Sequence, residues 1–147
     1  MNYRLTSAGI PAEGGAKIAF AVFNHRGERV YKIAKYISAD SFIAGKESFT
    51  DTEAELVACR MAVSYFSNYI RSRYYDEHFA TILEEDGLTA KTLVPLPSKE
   101  ELDKESSTYA LCDMLTEFIE RPSITFAVTD GCDAEMKYTL EILKDLK

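Results

Sequence analysis

Carboxylates are the side chains of this sequence whose type and spacing could do chemistry. Asp51 and Glu55 lie at the start of an amphipathic stretch, and Asp130 and Asp133 follow a short apolar one. Hard divalent ions such as Mg²⁺ prefer oxygen ligands, so acids that meet from separate elements can hold a metal. Each of these acids also has a structural interpretation, which has to be weighed beside the chemical one.

The start of the amphipathic stretch offers two capping boxes. Thr50 with Glu53 and Thr52 with Glu55 both have the required spacing of three residues. Asp51 is then a first-turn acid that favours the helix dipole. Glu55 can therefore be a helix-capping residue instead of a metal ligand.

The other candidate residues offer no stronger motif. Asp130 precedes a glycine and can end a strand in a turn, and Asp133 can cap the last helix. No CxxC pair, phosphate-binding loop or HExxH motif occurs, and the two histidines have no partner at ligand spacing. The three cysteines are far apart in the chain, and they are Cys59, Cys112 and Cys132.

Length and charge limit the classes of protein to be considered. The 147 residues suit a single domain over 1–147, and 46% hydrophobic against 28% charged residues is ordinary for a globular chain. The net charge of −7 argues against tight non-specific binding of nucleic acid. Residues 1–50 nevertheless hold seven basic and four acidic residues, a net of +3. Without an apolar run of membrane or signal-peptide length, we expect a cytoplasmic protein with reduced thiols.

Hydrophobic periodicity predicts a mixed α/β domain. Three strands come first, a long amphipathic helix follows, and a strand and a helix end the chain. Between them we predict an inserted helical segment at about 76–121, which includes an extended stretch at 90–97 and a helix from Ser98 to about Arg121. The remaining predicted elements are strands at 2–8, 16–23, 28–37 and 123–129, and helices at 52–75 and from Asp133 onwards.

This order resembles the ribonuclease H superfamily. The stretch TDTEAELVACRMAV at 50–63 is similar to that family's first-helix signature, with Glu55 on the catalytic glutamate. ITFAVTDGCDAEMKYTL at 124–140 is similar to its fourth strand, with Asp130 on a catalytic aspartate. The glycine-rich first connection and the RGE turn resemble the family's meander. The resemblance implies a three-strand antiparallel meander plus helix–strand–helix, and a pair of Mg²⁺ or Mn²⁺ ions that clamp a phosphodiester.

The sequence departs from that pattern in two places. Ser7 lies where the family's first strand ends in an Asp that bridges both metals, and a hydroxyl cannot replace a bridging carboxylate. The helix beyond the fifth strand, which carries a last acid, is expected to be absent. The resemblance therefore leaves Glu55, Asp130 and Asp133 as metal ligands, with Glu55 and Asp130 as catalytic candidates.

These observations favour a degenerate, non-catalytic ribonuclease H-like domain that needs no cofactor. We expect it to bind a protein, a second copy of itself or, weakly, a nucleic acid, and not a membrane. The alternative is a metal-dependent nuclease acting on RNA or an RNA–DNA hybrid through Glu55 and Asp130, with Mg²⁺ or Mn²⁺ as cofactor.

Overall fold

Alternating and continuous apolar runs form a five-stranded mixed sheet. The computed structural model describes residues 3–24, 26–66, 88–93, 102–106, 108–113, 124–129 and 133–146. The strands are β1 (Tyr3–Ala12), β2 (Gly15–Phe23), β3 (Arg29–Ser38), β4 (Leu88–Thr92) and β5 (Ile124–Val128). Their order across the sheet is β3-β2-β1-β4-β5.

The antiparallel part of the sheet confirms the predicted meander, with one difference. We expected the first strand to end before Gly9, whereas β1 continues to Ala12, which pairs with Gly15. The chain reverses at Glu13 and Gly14, and Gly14 adopts a φ of 76°, which favours glycine. Gly9 therefore lies within the strand and not in a turn. A glycine is needed at this position because a helix crosses the strand backbone closely there.

The parallel part of the sheet is one strand larger than predicted. β4 lies within the stretch expected to be an inserted helical segment, and it pairs in parallel with both β1 and β5. The first three residues of the extended stretch predicted at 90–97 belong to this strand. The apolar strand at 124–128 is therefore the fifth strand of the sheet and not the fourth.

Four helices accompany the sheet in the described residues. α1 is the short turn Ala39–Phe42, and α4 is Ala134–Asp145. The described part of helix α2 is residues 51–66, where a helix at 52–75 was predicted, and the described part of α3 is residues 108–113. α3 differs from the prediction because residues 102–106 form turns, and the Ser106 hydroxyl accepts a hydrogen bond from the Tyr109 amide at 3.1 Å.

The first capping box begins α2, and the second does not form. The Thr50 amide donates to Glu53 Oε1 at 3.0 Å, and the Glu53 amide donates to the Thr50 hydroxyl at 3.2 Å. Lys46 Nζ lies 3.2 Å from Glu53 Oε2 and neutralises this buried carboxylate. The interpretation of Glu55 as the capping partner of Thr52 is therefore wrong, and its carboxylate is available for another role.

The sheet is covered by a helix on each face. α2 packs on the face that carries Leu5 and Phe20, with Leu56, Val63 and Phe66 completely or almost completely buried against it. α4 packs on the opposite face, where Met136 and Leu143 contact the small side chains of Ala8 and Ala19. Met136, Leu140 and Leu143 all pack in this layer, whereas Leu146 lies beyond the last turn of α4.

Several predictions concern residues that lie outside the described ranges. These are the end of the long helix, the two histidines, Ser98, Asp130 and Cys132. Cys59 and Cys112 are buried, as expected of small core residues. Among the helices that the structure describes, none has the length and apolarity to span a bilayer.

Candidate functional site

Glu55 lies beside β1 and the end of β4, just beyond the residues through which these two parallel strands pair. Its Oε1 accepts a hydrogen bond from the Gly9 amide of β1 at 3.1 Å, and the Leu93 amide just after β4 also stabilises its charge. The side chain is buried although α2 is amphipathic, because Gly9 lets the helix backbone approach β1 directly. A Cβ atom on Gly9 would lie 2.3 Å from the carbonyl oxygen of Ala54.

A hydroxyl and a thiol share this buried corner with Glu55. Ser7 projects from β1 towards α2, and Cys59 follows Glu55 by one helical turn; both are 0% exposed. Ser7 Oγ has no oxygen or nitrogen hydrogen-bond partner within the described chain, and its polar neighbour is the Cys59 thiol, a weak donor and acceptor. Burial, together with the Glu55 charge, raises the pKa of Cys59 to about 12, so the thiol stays protonated and inert.

The Glu55 carboxyl is held in conditions that disfavour its charged form. Burial raises its pKa above the ordinary value for glutamate, and the Gly9 and Leu93 amides only partly oppose this effect. Its Oε2 has no hydrogen-bond partner in the described part of the molecule. Glu55 is therefore a buried acid with hydrogen bonds to only one of its two oxygens. None of the described residues places a cation beside the other oxygen.

The end of β4 has a threonine where the resemblance would require an acid. β4 is the strand beside β1, and its last residue, Thr92, is buried. The Thr92 carbonyl accepts a hydrogen bond from the Thr129 amide at 2.9 Å, which fixes the end of β5 next to it. The resemblance placed Asp130 after the fourth strand, whereas the strand at 124–128 is the fifth and lies at the edge of the sheet.

Asp133 caps α4 with one carboxylate oxygen and forms an ion pair with the other. Oδ1 accepts from the amides of Glu135 and Met136, and Lys91 Nζ lies 2.9 Å from Oδ2. Burial alone would raise the pKa of Asp133, but the Lys91 ammonium and the two amides lower it. A helix was expected to be absent beyond the fifth strand, but α4 follows β5 and is that helix. The acid at its start, Asp133, caps the helix and pairs with Lys91.

The same ion-pair network holds α4 on the sheet. Lys91 Nζ is also 3.2 Å from Glu135 Oε1, and Arg4 Nε is 2.8 Å from the same oxygen. Charge on both carboxylates raises the pKa of Lys91 even though its burial alone would lower it. Lys91 and Arg4 are therefore structural partners of α4 and supply no free cation.

The donor atoms that the structure describes at this corner differ from the carboxylates on which a site for a pair of divalent ions is built. Near Glu55 the described residues supply a serine hydroxyl, a protonated thiol and a threonine, whereas Mg²⁺ sites are built on carboxylates. No group of three or more His, Cys, Asp or Glu side chains in the described ranges could hold a metal ion. Of the predicted ligands, Glu55 and Asp133 are held on different elements by different partners, and Asp51 is exposed.

Comparison with solved structures identifies the fold. The N-terminal RNase H domain of Rv2228c from Mycobacterium tuberculosis superposes with a TM-score of 0.64 at 11% identity, over 99% of this chain and 98% of that one. LC11-RNase H1, isolated from compost, in complex with an RNA/DNA hybrid gives 0.64 at 14% identity, with 98% and 95% covered. RNase H1 from Halobacterium salinarum gives 0.59 at 13% identity, with 99% of both chains covered.

These similarities show that the chain has a ribonuclease H-like fold, as the sequence resemblance predicted. No protein-family model matches the chain, and no curated protein matches it in sequence. The low identity means that the comparisons concern the path of the backbone, and the chemistry has to be argued from the side chains described above.

Sequence reasoning found Glu55 and Ser7 but missed Thr92 and Cys59 as their neighbours, and it missed Lys91 as the partner of Asp133 on the opposite face of the sheet. Cys59 could have been found, because it follows Glu55 at helical spacing and shares its face. Thr92 and Lys91 could not, because the prolines at 95 and 97 indicated an extended stretch without indicating that it pairs with β1.

Proposed function

We propose that this chain is a ribonuclease H-fold domain that binds nucleic-acid duplexes without hydrolysing them. The observation that carries the proposal is the buried Ser7 hydroxyl within β1, just beyond the residues that pair with β4, where a metal-bridging carboxylate would have to stand. Thr92 at the end of β4 supports it, and so does Asp133, whose two oxygens are already bound. A reaction that needs two clamped metal ions has no suitable set of ligands among these side chains.

The binding half of the proposal rests on the fold and on the distribution of charge. One structure with this fold, LC11-RNase H1, is in complex with an RNA/DNA hybrid. In the present chain, residues 1–50 carry a net charge of +3 and the remainder, with ten basic and twenty acidic residues, carries −10. This partition favours weak and oriented binding of a polyanion through the antiparallel strands.

The test is binding and cleavage measured on one sample. A fluorescein-labelled RNA–DNA hybrid is titrated with the full chain, first with a chelator and then with Mg²⁺ or Mn²⁺, and anisotropy is followed. The same mixtures are then run on a denaturing gel. We expect saturable binding that does not depend on the metal, and intact strands after prolonged incubation. Calorimetry with either ion is expected to give no heat of specific binding.

Other outcomes would favour the other hypotheses. Cleavage that disappears in both Glu55→Gln and Asp130→Asn would establish the nuclease alternative, whereas cleavage unchanged in both variants would indicate a contaminant. Absence of any binding would contradict the proposal. In that case light scattering on the full chain would test the protein-binding hypothesis in its simplest form, a second copy of the same chain.

A further inference from the structure

Two cations converge on one tyrosine ring on the face of the sheet opposite Ser7 and Glu55. The Arg29 guanidinium carbon lies 4.8 Å from the centre of the Tyr138 ring, and Lys32 Nζ lies 5.9 Å from it. Arg29 Nη1 also donates a hydrogen bond to the Tyr138 hydroxyl. Phe23 contacts the ring edge-on, with centroids 6.3 Å apart, so the ring is fixed between the sheet and the two cations.

The register of the sheet explains why these side chains meet. Lys32 pairs with Ala21, and Arg29 pairs with Phe23 across an irregularity in the ladder at Val22 and Phe23. That irregularity brings Arg29 to the same face as Lys32 although the two residues are three apart in sequence. α4 supplies Tyr138 from above, because Met136 and Thr139 fix the helix on Ala8 and Thr6.

Neither cation is neutralised by a carboxylate in the described residues. The ion pairs there involve Arg4, Lys46 and Lys91 instead. Both Arg29 and Lys32 are exposed, and the guanidinium uses one of its five N–H groups on Tyr138. Two like charges on one ring repel each other, and an anion placed between them would relieve that repulsion.

The charged surface continues along β3 and β2. Tyr36 is 47% exposed and lies beside Lys17, its partner in the antiparallel ladder. From Arg29 to Tyr36 the strand advances seven residues, or about 23 Å at roughly 3.3 Å per residue. That length spans several phosphates of a duplex, whose charges are spaced about 3.4 Å apart along the axis of each strand.

We infer that Arg29, Lys32 and Tyr138, with Lys17 and Tyr36 beyond them, form a binding surface for the phosphate backbone of a duplex. This surface, called here the β3–α4 surface, lies on the side of the sheet away from Glu55. The inference rests on the proposed function and adds to it the place where the nucleic acid is held. A guanidinium oriented by an aromatic ring is a donor geometry suited to phosphate oxygens.

The experiment compares variants that remove equal charge from different places. Arg29→Gln with Lys32→Gln is set against Lys104→Gln with Lys144→Gln, which removes two exposed cations elsewhere. Each full-length protein is titrated into the labelled hybrid at several salt concentrations. We expect the first pair to weaken binding about tenfold or more and to flatten the salt slope by about 1.8, at roughly 0.9 per phosphate contact. The second pair is expected to change affinity less than about twofold.

Two further arms distinguish the possible explanations. The exchange Arg29→Lys with Lys32→Arg keeps both charges and is expected to retain the salt slope of the unmodified protein. Equal weakening by the two glutamine pairs, or no weakening by either, would overturn the inference while the proposed function stands. If the unmodified chain binds labelled polyglutamate as tightly as the hybrid, the surface is a site for acidic protein and the inference fails. No binding of the hybrid at all would overturn the proposed function with it.

Discussion

Ser7 is a buried hydroxyl that contributes little to stability, and this can be measured. Ser7 Oγ is completely buried and has no hydrogen-bond partner in the described structure, so removing it relieves a desolvation cost. We expect Ser7→Ala to be neutral or to stabilise the fold by about 1 kcal/mol in urea unfolding. Ser7→Asp places a second buried carboxylate near Glu55 and is expected to cost about 3 kcal/mol or more. A loss of about 2 kcal/mol in Ser7→Ala would contradict this expectation.

Glu55 should make stability depend on pH in a defined direction. Because burial raises its pKa, the folded chain holds this proton more tightly than the unfolded chain does. Stability is then greatest below the ordinary pKa of glutamate and falls as pH rises through the raised value. The side chain of Glu55→Gln stays neutral at every pH. The free energy of unfolding of this variant, relative to that of the natural protein, should therefore increase as pH rises through the raised pKa of Glu55.

The measurement for Glu55 is urea unfolding from about pH 4 to about pH 8, a range that starts near the ordinary pKa of glutamate. Glu47→Gln serves as the control, because it removes an exposed carboxylate from the loop before α2. A difference between Glu55→Gln and the natural chain that is constant with pH would show that Glu55 keeps its ordinary affinity for protons.

At the scale of the element, the crossing of β1 and α2 depends on the absence of a side chain at Gly9. A Cβ there would lie 2.3 Å from the Ala54 carbonyl oxygen and 2.7 Å from its carbon, so the helix would have to move. We expect Gly9→Ala to cost about 3 kcal/mol, the upper end of the usual range for an overpacked core, because the clash is with backbone atoms. The displaced helix would also lose the hydrogen bond from the Gly9 amide to Glu55.

Gly45→Ala is the matched control for that crossing. Gly45 has a φ of 82°, and a Cβ added there would have no atom within 4 Å. Alanine at this position therefore has a strained backbone conformation but makes no steric clash. A cost of about 1 kcal/mol is expected for it. Urea unfolding of both variants separates the two effects, and equal losses would mean that the close approach of α2 to β1 can relax.

The elements also show which parts of the fold the sequence could predict. β2, β3 and α4 have local signals, namely an apolar run, a turn with Gly27 and the Asp133 cap, and all three were predicted within about two residues. β4 is short, and its place in the sheet is defined by its parallel partners β1 and β5. Periodicity does not reveal non-local pairing, and for that reason the strand before Asp130 was taken for the fourth when it is the fifth.

At the scale of the whole molecule, the two faces of the sheet have different characters. The α2 face has an interior made of apolar side chains around Ser7 and Glu55. The opposite face is only partly covered by α4, and its open part carries Arg29, Lys32 and Tyr36. A fold that is associated with chemistry at the strand ends thus presents, in this chain, a charged surface on the exposed edge of the sheet.

This division of charge predicts how binding responds to salt. Arg29, Lys32 and Lys17 are the cations of the β3–α4 surface, so two or three phosphate contacts are expected for the whole protein. With a slope of roughly 0.9 per contact, affinity for a duplex should fall about 10- to 40-fold between about 50 and 200 mM salt. Anisotropy titrations across that range provide the measurement. A fall of about 1,000-fold would require six or more contacts, which this surface cannot supply, and a second basic region would then have to take part. A flat response would indicate recognition without phosphate contacts, and it would contradict the role of these three cations.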